Sequence, residues 1–283
     1  MAFSHSVSRK DFLKTSALAL ALPFVSKVDA FAKPIKNVGL QLYTVRNEMS
    51  KDVEGTLKKI AQIGYTEIET GNYFGKTPKE AKAFLSGMGL SAPSILYMTG
   101  AMKSDWNKAV DQAAEGGQSF MGCAYLTPDE RKTIDDYKKL AELFNKSGEV
   151  CKKAGIQFMH HNHDFEFATL DGQVPYNVIL KETDPNLVKL ELDLYWATKA
   201  GQDPVALIKQ NPGRFPIVHM KDMEKTPNRA FAPVGTGSID FQRILDVHKL
   251  AGIQHYYVEQ DVCKVPPLEA IAISFQNVKK LNV

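Results

Sequence analysis

Cysteine is scarce: 283 residues contain three, Cys123, Cys151 and Cys263, with no Cys-x-x-Cys pair among them. That excludes a disulfide-built scaffold and thiolate zinc or redox motifs, and the three read as small buried hydrophobes. Charge of one sign is lacking too, since 35 basic and 32 acidic side chains leave a formal net charge of +3. No block of basic charge is large enough to grip a nucleic-acid backbone, so nucleic acid is a poor partner. Long apolar runs are also missing. The stretch from Ala17 to Val25 is much shorter than the roughly 20 residues that a membrane-spanning helix needs. What remains, 44% hydrophobic and 24% charged residues, is the composition of a globular enzyme with a sizeable core.

The apolar stretch has the surroundings of an address. Ser8-Arg9-Lys10-Asp11-Phe12-Leu13-Lys14 precedes it and Ala30-Phe31-Ala32 supplies a small-x-small cleavage pattern. Residues 1–32 are therefore expected to be an export signal peptide, and the periplasm is the expected destination. The segment resembles a twin-arginine signal with Lys10 where the second arginine stands. Its removal takes off four basic and two acidic side chains and leaves about +1.

From Lys33 onward one pattern recurs. An amphipathic helix stops at a glycine, and a short β-rich run follows, at Gly64, Gly89, Gly117, Gly155 and Gly252. Runs at Val38–Tyr43, Val188–Leu194 and Pro216–Met220 bring the number of expected strands to eight. Thr77-Pro78-Lys79-Glu80 and Thr127-Pro128-Asp129-Glu130 are helix starts, with a capping hydroxyl, a proline at the first helical position and a nearby carboxylate. Tyr137, Leu140, Ala141, Phe144, Cys151 and Ala154 share one helical face, and Phe241, Ile244, Leu245 and His248 repeat that pattern. Eight strands alternating with helices over residues 33–283 predict an α/β chain folded as a single (β/α)₈ TIM barrel. The runner-up, a doubly wound open sheet, wants a glycine-rich turn after its first strand, where Tyr43-Thr44-Val45-Arg46 stands instead.

In such a barrel the chemistry lies at the C-terminal ends of the strands. The fifth strand ends in His160-His161-Asn162-His163-Asp164-Phe165-Glu166, the sixth in Glu191-Leu192-Asp193, the seventh in His219-Met220-Lys221-Asp222, and the eighth in Glu259-Gln260-Asp261. Alternation puts Glu191 and Asp193 on one face, Ile217, His219 and Lys221 on another, and Tyr257, Glu259 and Asp261 on a third. Carboxylates and a histidine thus converge on one mouth. Their mutual repulsion and desolvation call for a cation, and one nitrogen with three oxygen donors suits one divalent ion: manganese, magnesium, cobalt or zinc. Glu67 and Glu69 are expected not to face inward together, and Glu69, nearer the mouth, is the better candidate for the pocket. The amides of Val234-Gly235-Thr236-Gly237 are expected in a tight turn open to a substrate oxygen.

Gly39-Leu-Gln-Leu-Tyr-Thr-Val-Arg46, His161-Asn-His-Asp-Phe-Glu-Phe167, Glu191-Leu-Asp-Leu-Tyr-Trp196, His219-Met-Lys-Asp222, Val234-Gly-Thr-Gly-Ser-Ile-Asp240 and Val258-Glu-Gln-Asp261 resemble the sugar phosphate isomerase/epimerase proteins of the xylose-isomerase-like superfamily. The resemblance covers essentially all of residues 33–283. It implies Glu166, Asp193, His219 and Glu259 as metal ligands, with Glu166 and Glu259 also moving a proton on opposite faces of the substrate. Lys221 joins them as a catalytic candidate, while Tyr43, Arg46, Glu69, His161, His163, Trp196 and Arg229 are candidate substrate contacts. Epimerases of the superfamily carry a histidine where this chain has Trp196, whose ring face suits stacking on a sugar.

The function these features imply is a divalent-metal-dependent isomerase or epimerase of a free sugar or sugar derivative, working through an enediolate. The alternative is a metal-dependent lyase or hydratase that eliminates a group β to a ketone of a keto-sugar or 3-keto-glycoside. Lys221, the extra histidines and Trp196 lean toward the alternative, because an elimination needs an acid for its leaving group. A DNA-repair endonuclease conflicts with the near-neutral charge, and a non-catalytic sugar-binding barrel is a further reading. A homodimer is compatible with all of them.

Overall fold

The structure, a computed structural model, describes residues 33–283; the export-signal reading falls on residues 1–32 and lies outside the described residues. Eight parallel strands close into a barrel. They are β1 (Gly39–Gln41), β2 (Glu67–Thr70), β3 (Ser91–Tyr97), β4 (Phe120–Cys123), β5 (Gln157–His161), β6 (Val188–Asp193), β7 (Ile217–Met220) and, after a two-stranded ribbon of β8 (Asp222–Met223) and β9 (Phe231–Ala232), β10 (His255–Val258). The order around the barrel is β1-β2-β3-β4-β5-β6-β7-β10, with β10 pairing back onto β1. The (β/α)₈ expectation is thus met. The antiparallel ribbon, Asp222 opposite Ala232 and Met223 opposite Phe231, is an addition the sequence reading did not foresee. Among the described residues no helix is long and apolar enough to cross a membrane.

The helices begin and end where their polar residues permit. Thr77 caps the helix Pro78–Ser86 with a full capping box. The five glycines read as helix stops all have positive φ. Thr127-Pro128 starts only one 3₁₀ turn, and the long helix Ile134–Lys153 begins afresh at Thr133, which has its own capping box with Asp136. The face carrying Phe241 and His248 breaks into two short helices, Phe241–Leu245 and His248–Ala251. Cys123 and Cys151 are buried and Cys263 is partly so.

Alternation along the strands sorts side chains into two cores. Leu40, Ile68, Phe158, Leu190, Leu192, Val218 and Val258 point outward into the shell between barrel and helices. Leu96, Phe120, Met159, Ile217 and Tyr257 fill the barrel itself. Below them the interior pair His255 and Glu67 meets at 2.8 Å, and above them it turns polar. Both Glu67 and Glu69 face inward, which corrects the expectation that one of them would not: residues two apart on a strand share a face. Pro93 in β3 cannot donate to the ladder, and the register shifts there, from Glu67 opposite Ser91 to Glu69 opposite Ser94.

The narrow interior depends on an absent side chain. A Cβ built on Gly39 would lie 2.3 Å from Cδ1 of Tyr257, whose ring is fully buried across the neighbouring strand. Gly39→Ala is therefore expected to displace that ring and lower stability by about 1–3 kcal/mol. Chemical denaturation of the variant checks this, and an unchanged midpoint refutes it.

Candidate metal centre and active-site pocket

The upper end of the barrel gathers acids and imidazoles from four adjacent strands. β6 ends in Asp193, which caps the following helix: its Oδ1 accepts the Trp196 amide at 2.8 Å, leaving Oδ2 turned to the mouth. The backbone N–H of Asp193 donates to Oδ1 of buried Asn162 at 3.0 Å, tying the ends of β5 and β6 together. β7 carries His219 inward, and Glu259 follows directly on β10. Between them Nδ1 of His219 and Oε2 of Glu259 are 2.7 Å apart. Lys221, two residues past His219 and on the same face, reaches Glu259 Oε2 at 2.8 Å, Asp261 Oδ2 at 2.8 Å and Asp193 Oδ2 at 3.0 Å.

Four buried groups have donor atoms within 4.8 Å of one another: His161, Asp193, His219 and Glu259. Three of them were read from the sequence as metal ligands. Glu166 was the fourth in that reading, and it is elsewhere. The 3₁₀ turn Phe165–Phe167 carries it to the outer side of β5, where it contacts His160 Nε2 at 3.0 Å and accepts the His163 amide at 2.7 Å. His160 stacks on Phe144 of the Ile134–Lys153 helix, with ring centroids 4.9 Å apart, so this pair belongs to the outer shell. Beyond a strand end alternation no longer fixes direction, and the turn sends Glu166 outward. His161, placed by the sequence reading among substrate contacts, stands in this cluster instead. It shares the inward face with Met159.

The electrostatics separate the members of this cluster. Burial alone works against a charge on His219, but Glu191, Glu259 and Glu69 outweigh it and hold its pKa well above the ordinary imidazole value. His161 is driven well below that value, by burial first and then by its cationic neighbours, so it is neutral and free to bind through nitrogen. Burial pushes Glu259 up, yet Lys221 and His219 bring it down to about 2. Asp193 moves the other way, to about 6: burial dominates, because Lys221 is at 3.0 Å and His219 only at 4.0 Å. For Lys221 burial opposes the charge and loses to Asp193, Glu259 and Asp261, which hold the ammonium well above the usual lysine range.

This donor set fits a divalent ion. Asp193 Oδ2 is buried without an aligned hydrogen bond, and two nitrogens with two carboxylate oxygens match manganese, cobalt or zinc better than magnesium. His161, Asp193, His219 and Glu259 would hold it.

A cavity of about 1020 Å³ opens above the cluster. Tyr43, Arg46, His161, His163, Trp196, Lys221 and Glu259 line it, as do Phe74, Met98, Tyr125, Arg131 and Phe165, which the sequence reading did not single out. Arg46 lies over the Tyr43 ring, 4.1 Å from its centroid, and donates to the Asp261 carbonyl at 3.0 Å. His163 stacks on Phe165, with centroids 5.3 Å apart, and meets Trp196 at 5.5 Å. Two expected contacts fall outside the lining. Glu69 is fully buried beneath His219, 2.7 Å from its Nε2. Arg229 spends its guanidinium on the Thr198 carbonyl at 2.8 Å. The glycine turn is also closed to substrate: the amides of Gly235, Gly237 and Ile239 donate to the Asp222 carboxylate at 2.9, 2.8 and 3.1 Å.

The family description "Xylose isomerase-like TIM barrel" matches residues 57–274. A solved sugar phosphate isomerase/epimerase from Parabacteroides distasonis is 30% identical, with a TM-score of 0.74 over 90% of this chain and 96% of that one. An inosose dehydratase from Clostridium perfringens is 25% identical over 88% of this chain and 89% of its own length. The IolI protein, solved with a zinc atom, shares the fold at 15% identity, with a TM-score of 0.68 over 86% of this chain and 97% of that one.

Two measurements test the centre. Calorimetric titration of zinc or manganese is expected to show at least tenfold weaker binding in Asp193→Asn, His161→Ala and Glu259→Gln. Glu166→Gln is expected to bind as the parent does, and a matching loss there restores Glu166 as a ligand. Because the acids around His219 favour its protonated form before the ion arrives, uptake at pH 7 is expected to release about one proton. That proton appears as a dependence of the binding enthalpy on the buffer's ionisation enthalpy. Affinity is also expected to fall as pH drops from 8 to 5, where protons compete for His219 and then for Asp193.

Proposed function

From the premise that the chain belongs to the xylose isomerase-like TIM barrel family, we propose a divalent-metal-dependent lyase that eliminates a group β to the carbonyl of a keto-sugar or 3-keto-glycoside. The observation that carries this choice is the pairing of Lys221 with Glu259 at the mouth, while Glu166 lies on the far side of β5. Epimerisation by two opposed carboxylates needs an acid on each side of the substrate; of the three acids lining the described pocket, Asp164, Glu259 and Asp261, the last two both pair with the Lys221 ammonium. An elimination uses that combination. Glu259 takes the proton next to the carbonyl, the electrons of that C–H bond form the new double bond, and the C–O bond at the β carbon breaks. Lys221 supplies the proton to the departing oxygen.

A bound divalent ion supplies polarisation of the substrate carbonyl. Lys221 is held strongly protonated by three carboxylates, and any cation shared by Asp193 and Glu259 weakens that hold, the direction an acid needs. Trp196, Tyr43 and the His163–Phe165 stack offer flat faces to a ring, while Arg46 and Arg131 offer donors to hydroxyls. The cavity volume of about 1020 Å³ is at the top of the roughly 300–1,000 Å³ range of pockets that enclose drug-sized ligands, which leaves room for a sugar with a substituent. In this reading the signal in residues 1–32 takes the enzyme out of the cytoplasm, and a free substrate suits that location better than a phosphorylated one. The inosose dehydratase relatives support elimination, and the zinc of the IolI structure is in keeping with the donor set.

Isomerisation is the second reading, favoured by the name of the 30% identical Parabacteroides protein. Metal-loaded enzyme incubated with keto-sugars and 3-keto-glycosides in heavy water separates the two by product mass. Elimination loses water or an alcohol, and isomerisation conserves mass apart from exchanged hydrogen. Lys221→Met is expected to lower kcat by about 10²–10⁴ while binding metal with no loss of affinity. Full turnover by that variant, or products of unchanged mass, refutes the elimination.

A further inference from the structure

Below the ligand atoms is a second tier of acids that the proposed chemistry does not use. Glu69 and Glu191 are fully buried and do not line the cavity. Each stands behind an imidazole. Glu69 Oε2 is 2.7 Å from His219 Nε2. Glu191 Oε2 is 3.0 Å from His161 Nδ1, and its Oε1 is 3.1 Å from His219 Nε2, close contacts without the alignment of a hydrogen bond. On both rings the remaining nitrogen faces the ligand oxygens: His219 Nδ1 toward Glu259 at 2.7 Å, His161 Nε2 toward Asp193 at 3.9 Å.

We infer that Glu69 and Glu191 are positioning residues for metal capture, a carboxylate shelf that holds the far nitrogens of His219 and His161 and turns the opposite nitrogens to the ion. A neutral imidazole has one N–H and one lone pair. When Glu69 takes the N–H at Nε2, the lone pair of His219 is left on Nδ1, among the ligand oxygens. Glu69 is itself immobilised: its Oε2 accepts Gln41 Nε2 at 2.6 Å and its Oε1 accepts Ser94 Oγ at 2.5 Å. Ser94 stands opposite Glu69 because the register shifts between Glu67 and Glu69, so the shelf is set by the pairing of β2 with β3. Glu191 follows from the strand period, two residues before the ligand Asp193 on the same inward face.

The inference rests on the metal reading above and is tested apart from turnover. Zinc and manganese are titrated into chelator-stripped protein, and histidine ¹⁵N spectra are recorded with and without the ion. One ion is expected in the parent, with His219 protonated at Nε2 in the loaded form. Glu69→Ala and Glu191→Ala are expected to bind 10- to 100-fold more weakly, and Glu69→Ala to lose the fixed tautomer. Glu69→Gln, whose amide oxygen still accepts from Nε2, is expected to recover part of the loss. If Glu69→Ala fails to fold, Ser94→Ala and Gln41→Met loosen Glu69 without removing it and are expected to weaken binding in the same direction. Folded variants with parental affinity and tautomers overturn the inference. So does a parent that binds two ions and loses one in Glu69→Ala, since Glu69 is then a ligand. A parent that binds no ion removes the metal reading and the shelf with it.

Discussion

Four carboxylates and two imidazoles share the upper half of a closed barrel, and the rest of the site follows from how that charge is accommodated. Glu69, Glu191, Asp193 and Glu259 are brought together by parallel strands in fixed register and buried, Glu259 alone of the four lining the cavity. Desolvated acids at such spacing are costly unless cations or protons sit among them. The molecule uses both. Lys221 spans Asp193, Glu259 and Asp261 at the mouth, and His219 bridges the lower and upper acids. A divalent ion bound by His161, Asp193, His219 and Glu259 would take over the part of this balance that His219 carries as a proton. Metal uptake and proton release are then two sides of one exchange.

The parts of this arrangement that obey strand periodicity were legible in the sequence. Asp193, His219, Lys221 and Glu259 lie on strands or within two residues of their ends, so counting by two gives their direction. The helix stops at glycine and the capped helix at Thr77 were equally plain. Most of what differed lay past the strand ends. Glu166 follows a tight turn whose direction depends on the pairing with His160 and the fit of His160 against Phe144, neither of which is visible in spacing. His161 was expected in the pocket as a substrate contact, because the family resemblance favoured the carboxylate further on as the ligand. Arg229 failed because its loop bends back onto Thr198. The paired inward direction of Glu67 and Glu69 needed only the period-two rule applied without exception.

The pocket also shows how one strand end can serve two purposes. Asp193 offers one oxygen to the first turn of the next helix and the other to the mouth, so the same carboxylate that starts the helix orients itself for coordination. Trp196, whose amide makes that cap, thereby has its ring set on the cavity wall beside His163. Ligand geometry and substrate wall are coupled through three residues of backbone, and changes in one are felt in the other.

Asp222 is the outward-facing neighbour of Lys221, and its carboxylate collects the amides of Gly235, Gly237 and Ile239 as well as that of Met223. The chain between Met223 and Phe231 therefore leaves and returns beside a clasp of backbone amides on one carboxylate. The excursion is anchored in turn on the pocket wall, where Phe231 stacks on Tyr195 and meets Trp196 at 5.6 Å and Arg229 donates to the Thr198 carbonyl, so an altered length there would be felt by the indole face.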